Sequence, residues 1–153
     1  MEWNNHFALN NWLRLDADFT WTHARYFNMN NNGEMGNFIA NAVSKVASVG
    51  LTAENVGPWS GDIKLRYIRK YPLSQDGTLV GPSAFVVNAR VQRQINAWAA
   101  ISLDAINVLD RKYYDIAYDH DYQLTRSSSV VLNGVTVHPG EPREFHLTLR
   151  LRF

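Results

Sequence analysis

The sequence predicts an all-β fold: an antiparallel meander of about seven long strands, of the kind that forms the wall of a transmembrane β-barrel, over residues 1–153. Three observations predict it. Apolar and polar residues alternate over segments longer than the five or six residues usual in globular strands. The connections between these segments alternate between short and long. No run of about 18 apolar residues is present, so a chain of this kind crosses a membrane only by strands of a closed barrel.

The elements follow in order. A partial strand over residues 1–9 is followed by residues 12–26, where Leu13, Leu15, Ala17, Phe19 and Trp21 alternate with Arg14, Asp16, Asp18, Thr20 and Thr22. In residues 43–56, Ala47, Val49, Leu51 and Ala53 alternate with Ser48, Gly50, Thr52 and Glu54. In residues 62–71, Ile63, Leu65 and Tyr67 alternate with Lys64 and Arg66, while Val46 and Ile68 fall on the otherwise polar side. Phe85, Val87, Ala89 and Val91 oppose Asn88, Arg90 and Gln92, and over residues 98–109 Ala99, Ile101, Leu103 and Ala105 oppose Ser102 and Asp104. The clearest case is residues 143–153, where Phe145, Leu147, Leu149, Leu151 and Phe153 alternate with Glu144, His146, Thr148, Arg150 and Arg152. At about 3.4 Å per residue and a tilt near 40°, that segment covers roughly 28 Å along a membrane normal, close to the apolar band of outer-membrane barrels.

Asn10-Asn11, Gly57-Pro58-Trp59 and Ile95-Asn96-Ala97 are predicted tight turns. Between them lie polar segments at 27–42, 72–83 and 110–142. Short turns alternating with long loops are the pattern of bacterial barrels, with the turns periplasmic and the loops extracellular. A soluble antiparallel sandwich also shows period-two alternation; the length of the segments and the Arg, Asp and Lys on their polar side weigh against it.

Composition excludes several functions. Only 19% of residues are charged, below the roughly 25% typical of soluble domains. The net charge is +1 with no basic block, so nucleic-acid binding has no electrostatic basis. Absence of cysteine removes thiolate catalysis and Cys-ligated zinc. Residues 1–10 do not have the pattern of a secretory signal.

Two stretches are similar to the closing region of TonB-dependent receptors. The first is Leu103 to Asp115, with Asn107, Asp110, Lys112 and Tyr113; Val108-Leu109 stands where that family usually has Leu-Phe. The second is His138 to Phe153, with Pro139, Gly140, Pro142, Arg143 and the terminal Phe153. The resemblance implies the C-terminal segment of such a receptor's transmembrane β-barrel, in the outer membrane of a Gram-negative bacterium. It implies active uptake of a scarce solute, a ferric siderophore most commonly. Implied partners are outer-membrane lipid, the remainder of the barrel and its plug, the TonB energy-transducing complex acting through the plug, and the barrel assembly machinery. For the last of these, the strand with Phe145, Leu147, Leu149, Leu151 and Phe153 is the implied signal. A plug, a signal peptide and a barrel of about 22 strands do not fit within this chain, so a fragment with two unpaired edges is expected.

Local chemistry supplies reasons beside the resemblance. Asn107 and Asp110 are suited to capping a strand exit through backbone hydrogen bonds, and Tyr113 and Tyr114 to an aromatic girdle between lipid and water. Tyr114, Tyr118, Asp119, His120 and Tyr122 gather aromatic, acidic and imidazole groups on an expected extracellular loop and are the candidate ligand contacts. Adjacent Asp119, His120 and Asp121 do not converge as metal ligands would. Ser127-Ser128-Ser129 lacks a nucleophile-elbow context, and none of the five histidines stands in a catalytic motif. No catalytic residue, metal or cofactor is predicted. A passive channel and a soluble β-sandwich binding module remain as alternatives.

Overall fold

The computed structural model describes residues 1–27, 36–125 and 129–153, and among them the regular structure is entirely strand. The elements are β1 (Glu2–Ala8), β2 (Leu13–Trp21), β3 (Lys45–Val56), β4 (Trp59–Ile68), β5 (Tyr71–Pro72), β6 (Val80–Gly81), β7 (Ala84–Asn96), β8 (Ala99–Ile106), β9 (Tyr114–Tyr122), β10 (Leu132–Pro139) and β11 (Glu144–Leu151). Seven of them form one antiparallel sheet in the order β1-β2-β3-β4-β7-β8-β11, as the alternation predicts. The β5–β6 and β9–β10 hairpins stand apart from it, inserted into two of the long connections.

Asparagine side chains set two of the tight turns. Asn10 Oδ1 accepts the N–H groups of Trp12 and Leu13 at 2.9 and 2.8 Å, and Asn96 Oδ1 accepts those of Trp98 and Ala99 at 3.0 and 2.9 Å. Each carboxamide satisfies donors that the turn removes from the ladder. The middle turn is Gly57-Pro58, with Gly57 at φ 61°. Trp59 therefore begins β4 three residues earlier than residues 62–71 suggested, and β7 runs on to Asn96.

Register then sorts the two faces. Leu15, Leu51, Ile63, Ala89 and Ala105 stand opposite one another on successive strands, and Phe145 continues that row on β11. On the other face Arg14, Thr52, Asp62, Arg90, Asp104 and His146 form the equivalent row. Ion pairs join neighbours there: Arg14 to Glu54 at 2.8 Å and Arg90 to Asp104 at 3.5 Å. No second layer covers the apolar face among the described residues, and Phe145, Leu147 and Leu149 are 62%, 71% and 59% exposed.

The apolar face ends in aromatic groups. Trp3, Phe19, Tyr67 and Phe85 share one cross-strand row at the long-loop end, through Ala47. Beyond it the Lys45 ammonium lies 5.4 Å from the Trp21 ring centroid, and at the tight-turn end the Arg93 guanidinium lies 5.2 Å from that of Trp59. Both cations sit on the apolar side at its two margins, where a long side chain can reach water.

Three expectations are corrected. Residues 110–142 are not one irregular loop, because β9 and β10 pair in register from Tyr122↔Leu132 to Ile116↔His138. Tyr71 does not end the fourth strand; it opens the β5–β6 hairpin. The last strand stops at Leu151, although the Arg152 N–H still donates to Trp98 O at 2.9 Å. Of the long polar segment at 27–42, residues 28–35 lie outside the described residues.

Asn107, where β8 ends, is 1% exposed. Its N–H donates to Asn88 Oδ1 at 2.9 Å, and its Nδ2 donates to the carbonyls of Arg111 and Glu141, both at 2.9 Å. Its Oδ1 accepts the Arg111 N–H at 3.0 Å. The backbone there has φ 47°, a conformation that Asn tolerates better than most residues. Asp110 also caps this exit with a positive φ of 52°, but its carboxylate pairs with Arg143 at 3.5 Å instead of with backbone. Removing the carboxamide deprives three backbone groups, the Arg111 N–H and the Arg111 and Glu141 carbonyls, of their partner, at about 1 kcal/mol each. Asn107→Ala should therefore lose about 3 kcal/mol or more in urea unfolding of the folded, detergent-solubilised protein. Asn107→Asp, nearly the same shape, should lose at least as much at neutral pH, since it turns an acceptor toward two carbonyls; an Asp variant as stable as the native chain would remove Asn107 from this role.

Candidate ligand-binding site

The polar sides of β1 to β4 and β7 line an open cleft of about 830 Å³. Period two puts Asn4 and His6, Asp16 and Asp18, Ser48, Lys64 and Arg66, and Asn88 on that side. His6 Nδ1 contacts Asp16 Oδ1, and Ser48 Oγ donates to Asp18 Oδ2 at 2.9 Å. The loop end of the cleft is closed by Tyr113, Tyr114, Asp115 and Glu141. Carboxylates and the cations Lys64 and Arg66 thus share the wall, a surface fitted to polar contacts with whatever fills it.

Tyr113 is held inward by Gly140. A Cβ at Gly140 would lie 2.2 Å from a Tyr113 ring carbon, and the Gly140 N–H donates to Tyr113 O at 2.9 Å. Burial, with the nearby Asp115 carboxylate, pushes the Tyr113 hydroxyl above its usual range. The girdle expectation is therefore corrected for both tyrosines: Tyr113 and Tyr114 line the cleft.

Above the cleft the loops meet in a small apolar core of Tyr71, Leu73 and Ala117, with Val43 packed against it. Beside this core a cavity of about 200 Å³ is bounded by Tyr114, Ala117 and Tyr118 of β9 and by Ile68, Tyr71 and Ala84. Ile68 and Ala84, apolar on the polar side of the sheet, are explained by this position. The turn between β5 and β6 is organised by Asp76, whose carboxylate accepts from the Thr78 N–H at 3.0 Å and from the Ser74 hydroxyl; those bonds hold its carboxyl below the usual range.

The five candidate ligand contacts do not form one cluster. They lie on strand β9, where Tyr114, Tyr118, His120 and Tyr122 take one face and Asp119 the other. Tyr114 and Tyr118 border the cavities. His120 and Tyr122 stand further out with ring centroids 6.1 Å apart, and His120 Nε2 is 3.4 Å from Thr136 Oγ1. Asp119 Oδ1 is shielded and has no hydrogen-bond partner among the described residues. Ser127 and Ser128 lie outside the described residues. The cleft residues His6, Asp16, Asp18, Lys64 and Arg66 escaped notice as a site; the alternation that put them on the polar side was their signal. Of the strand expected to guide assembly, Phe145, Leu147, Leu149 and Leu151 are exposed on the apolar face of β11, and Phe153 lies beyond its end.

No family model and no curated protein matches the sequence. Solved structures do match. The siderophore receptor PiuA from Acinetobacter baumannii superposes with a TM-score of 0.72 at 14% identity, covering 98% of this chain and 21% of that one. The ferric-catecholate import receptor Fiu from E. coli K12 gives 0.68 at 19% identity over 99% of this chain and 20% of that one. The copper transporter OprC gives 0.67 at 14%, over 99% and 23%. The fold is that of TonB-dependent receptors. The chain spans about a fifth of the length of the solved structures it matches.

The Gly140 contact generates a prediction. Gly140→Ala should displace the Tyr113 ring and the Glu141 turn, lowering the thermal unfolding midpoint, whereas pairing it with Tyr113→Ala should restore most of the loss. A double variant no better than the single one would show that the ring is not what the glycine accommodates.

Proposed function

We propose that this chain is part of the barrel of an outer-membrane TonB-dependent receptor that actively takes up a scarce solute, with a ferric siderophore as the substrate class. The observation that carries the proposal is the uncovered apolar face, continuous across seven strands and backed by a polar cleft, in a sheet that shares its fold with such receptors. A soluble sandwich would bury that face under a second sheet. Two of the three similar structures are named for siderophore or ferric-catecholate import, and one for copper. The first two names favour the siderophore, and aromatic groups at the loop end suit a chelate that carries aromatic rings.

In this proposal the apolar face meets lipid, further strands pair with β1 and β11, and a plug occupies the cleft and couples it to the TonB complex. Tyr114 and Tyr118 contact the solute at the mouth, with His120 and Tyr122 meeting it first and Asp119 contributing from the opposite face of β9. The row Phe145, Leu147, Leu149, Leu151 and Phe153 is the strand read by the barrel assembly machinery.

Two measurements test this. In the full-length barrel in lipid vesicles, Leu147→Arg or Leu149→Arg should cost about 2–4 kcal/mol of unfolding free energy, and Thr148→Arg much less; equal costs on both faces would rule out lipid on one side. Loss of both tyrosines in Tyr114→Ala/Tyr118→Ala should weaken binding of a ferric catecholate roughly tenfold, at about 0.5–1.5 kcal/mol per aromatic contact. Uptake that persists in cells without TonB would point instead to a passive channel.

A further inference from the structure

A third cavity, of about 360 Å³, lies at the long-loop rim between the segment after β2 and the β5–β6 hairpin. His23, Arg25, Arg69 and Lys70 line it, and no carboxylate does among the described residues. Among the described residues none of these four forms an ion pair, as Arg14, Arg90 and Arg143 do elsewhere. The three cations Arg25, Arg69 and Lys70 line one cavity with no carboxylate beside them among the described residues, so the cavity favours an anion. The Arg25 guanidinium is stacked 3.6 Å from the Phe38 ring centroid. Stacking fixes the plane of the group and leaves its N–H edge available to an acceptor.

Position suggests what carries the anion. Trp21 lines the cavity and continues the apolar side of Phe19; Arg69 continues that of Leu65 and Tyr67, and its N–H donates to Lys45 O at 3.0 Å. The cavity therefore opens beside the margin where the apolar face ends in the Trp21–Lys45 pair. Apolar groups, Phe38 and Val80 among them, share its walls with the cations. The central cleft differs, since carboxylates there balance Lys64 and Arg66.

We propose that this rim cavity binds the phosphate of an outer-leaflet lipid headgroup, with Arg25, Arg69 and Lys70 as its cations and Trp21 against the adjoining apolar portion. The proposal rests on the outer-membrane reading above. Basic groups beside an anionic lipid surface each add measurably to its retention, and guanidinium pairs well with phosphate oxygens.

The test uses the full-length protein purified in a zwitterionic detergent, with native mass spectrometry counting bound lipid. Phosphatidic acid and phosphatidylcholine are the lipid probes, and inorganic phosphate is the free anion. The native protein should retain phosphatidic acid well above phosphatidylcholine. Arg69→Gln/Lys70→Gln should reduce that retention roughly tenfold. Arg93→Gln, which removes a cation at the opposite margin, should leave it unchanged. Undiminished retention in the double variant, or equal loss in Arg93→Gln, would overturn the site. Retention of phosphatidic acid abolished by millimolar inorganic phosphate would overturn the lipid and leave a free-anion site. Heat-dependent gel mobility of the same preparation reports the barrel independently: a folded barrel without lipid preference sinks only this site, and no barrel sinks both proposals.

Discussion

A buried carboxamide fastens the base of the excursion from which the last strand returns to the sheet. β8 and β11 are neighbours in space, yet the chain between them leaves the sheet and builds the β9–β10 hairpin before returning. Closing so long an excursion costs entropy that the ladder itself does not begin to offset until both strands are in place. Asn107 bridges the two ends of the excursion by donating to the Glu141 carbonyl, 34 residues away, while its side chain holds Arg111 and its backbone N–H donates to Asn88 Oδ1 on β7. Arg143 to Asp110 and Gly140 to Tyr113 fasten the same base. The register Glu144↔Ile106 that follows is set from this point.

Register matters because a slip of one residue would turn every side chain to the opposite face. With the registers observed, the outward rows are mostly apolar and the inward rows mostly polar; Asn5 on the outward side and Val46 and Val86 on the inward side are departures. Four further departures lie towards the strand ends and have a cause. Lys45 and Arg93 fall on the apolar side where a tryptophan ring accepts the cation. Ile68 and Ala84 fall on the polar side where the loops fold over and Tyr71, Ala117 and Tyr118 meet them. Lys45, Ile68 and Ala84 thus mark the loop end of the sheet, and Arg93 marks its tight-turn end.

The seven-stranded sheet was legible because its two sides differ so strongly in polarity. The β9–β10 hairpin carries the same alternation, Tyr114, Ile116, Tyr118 against Asp115, Ala117, Asp119, but both of its faces bear polar atoms and the contrast is weak. β5 and β6 are two residues each, too short for any period. Asn107 was legible as a strand cap, since that is local chemistry; its bond to Glu141 depends on where a distant segment returns. Tyr113 was misplaced for a related reason. A tyrosine after a strand suits a lipid interface, and only the missing side chain of Gly140 makes room for its ring on the inside. The candidate contacts were found as a cluster in sequence, but the strand divides them, because adjacent residues on a strand point to opposite faces.

Edges impose the last constraint. Among the described residues β1 pairs only with β2, and β11 only with β8, so each presents a row of N–H and C=O groups without a strand partner. In water such edges invite pairing with any available strand. In hydrocarbon they are intolerable, since each group without a partner costs several kcal/mol. The apolar face can therefore enter lipid only when further strands pair with both β1 and β11. Stability of this sheet in a membrane is then a property of the closed barrel, and the strength of Asn107 as a fastener becomes important earlier, while β11 must hold its register against β8 with its other edge still unpaired.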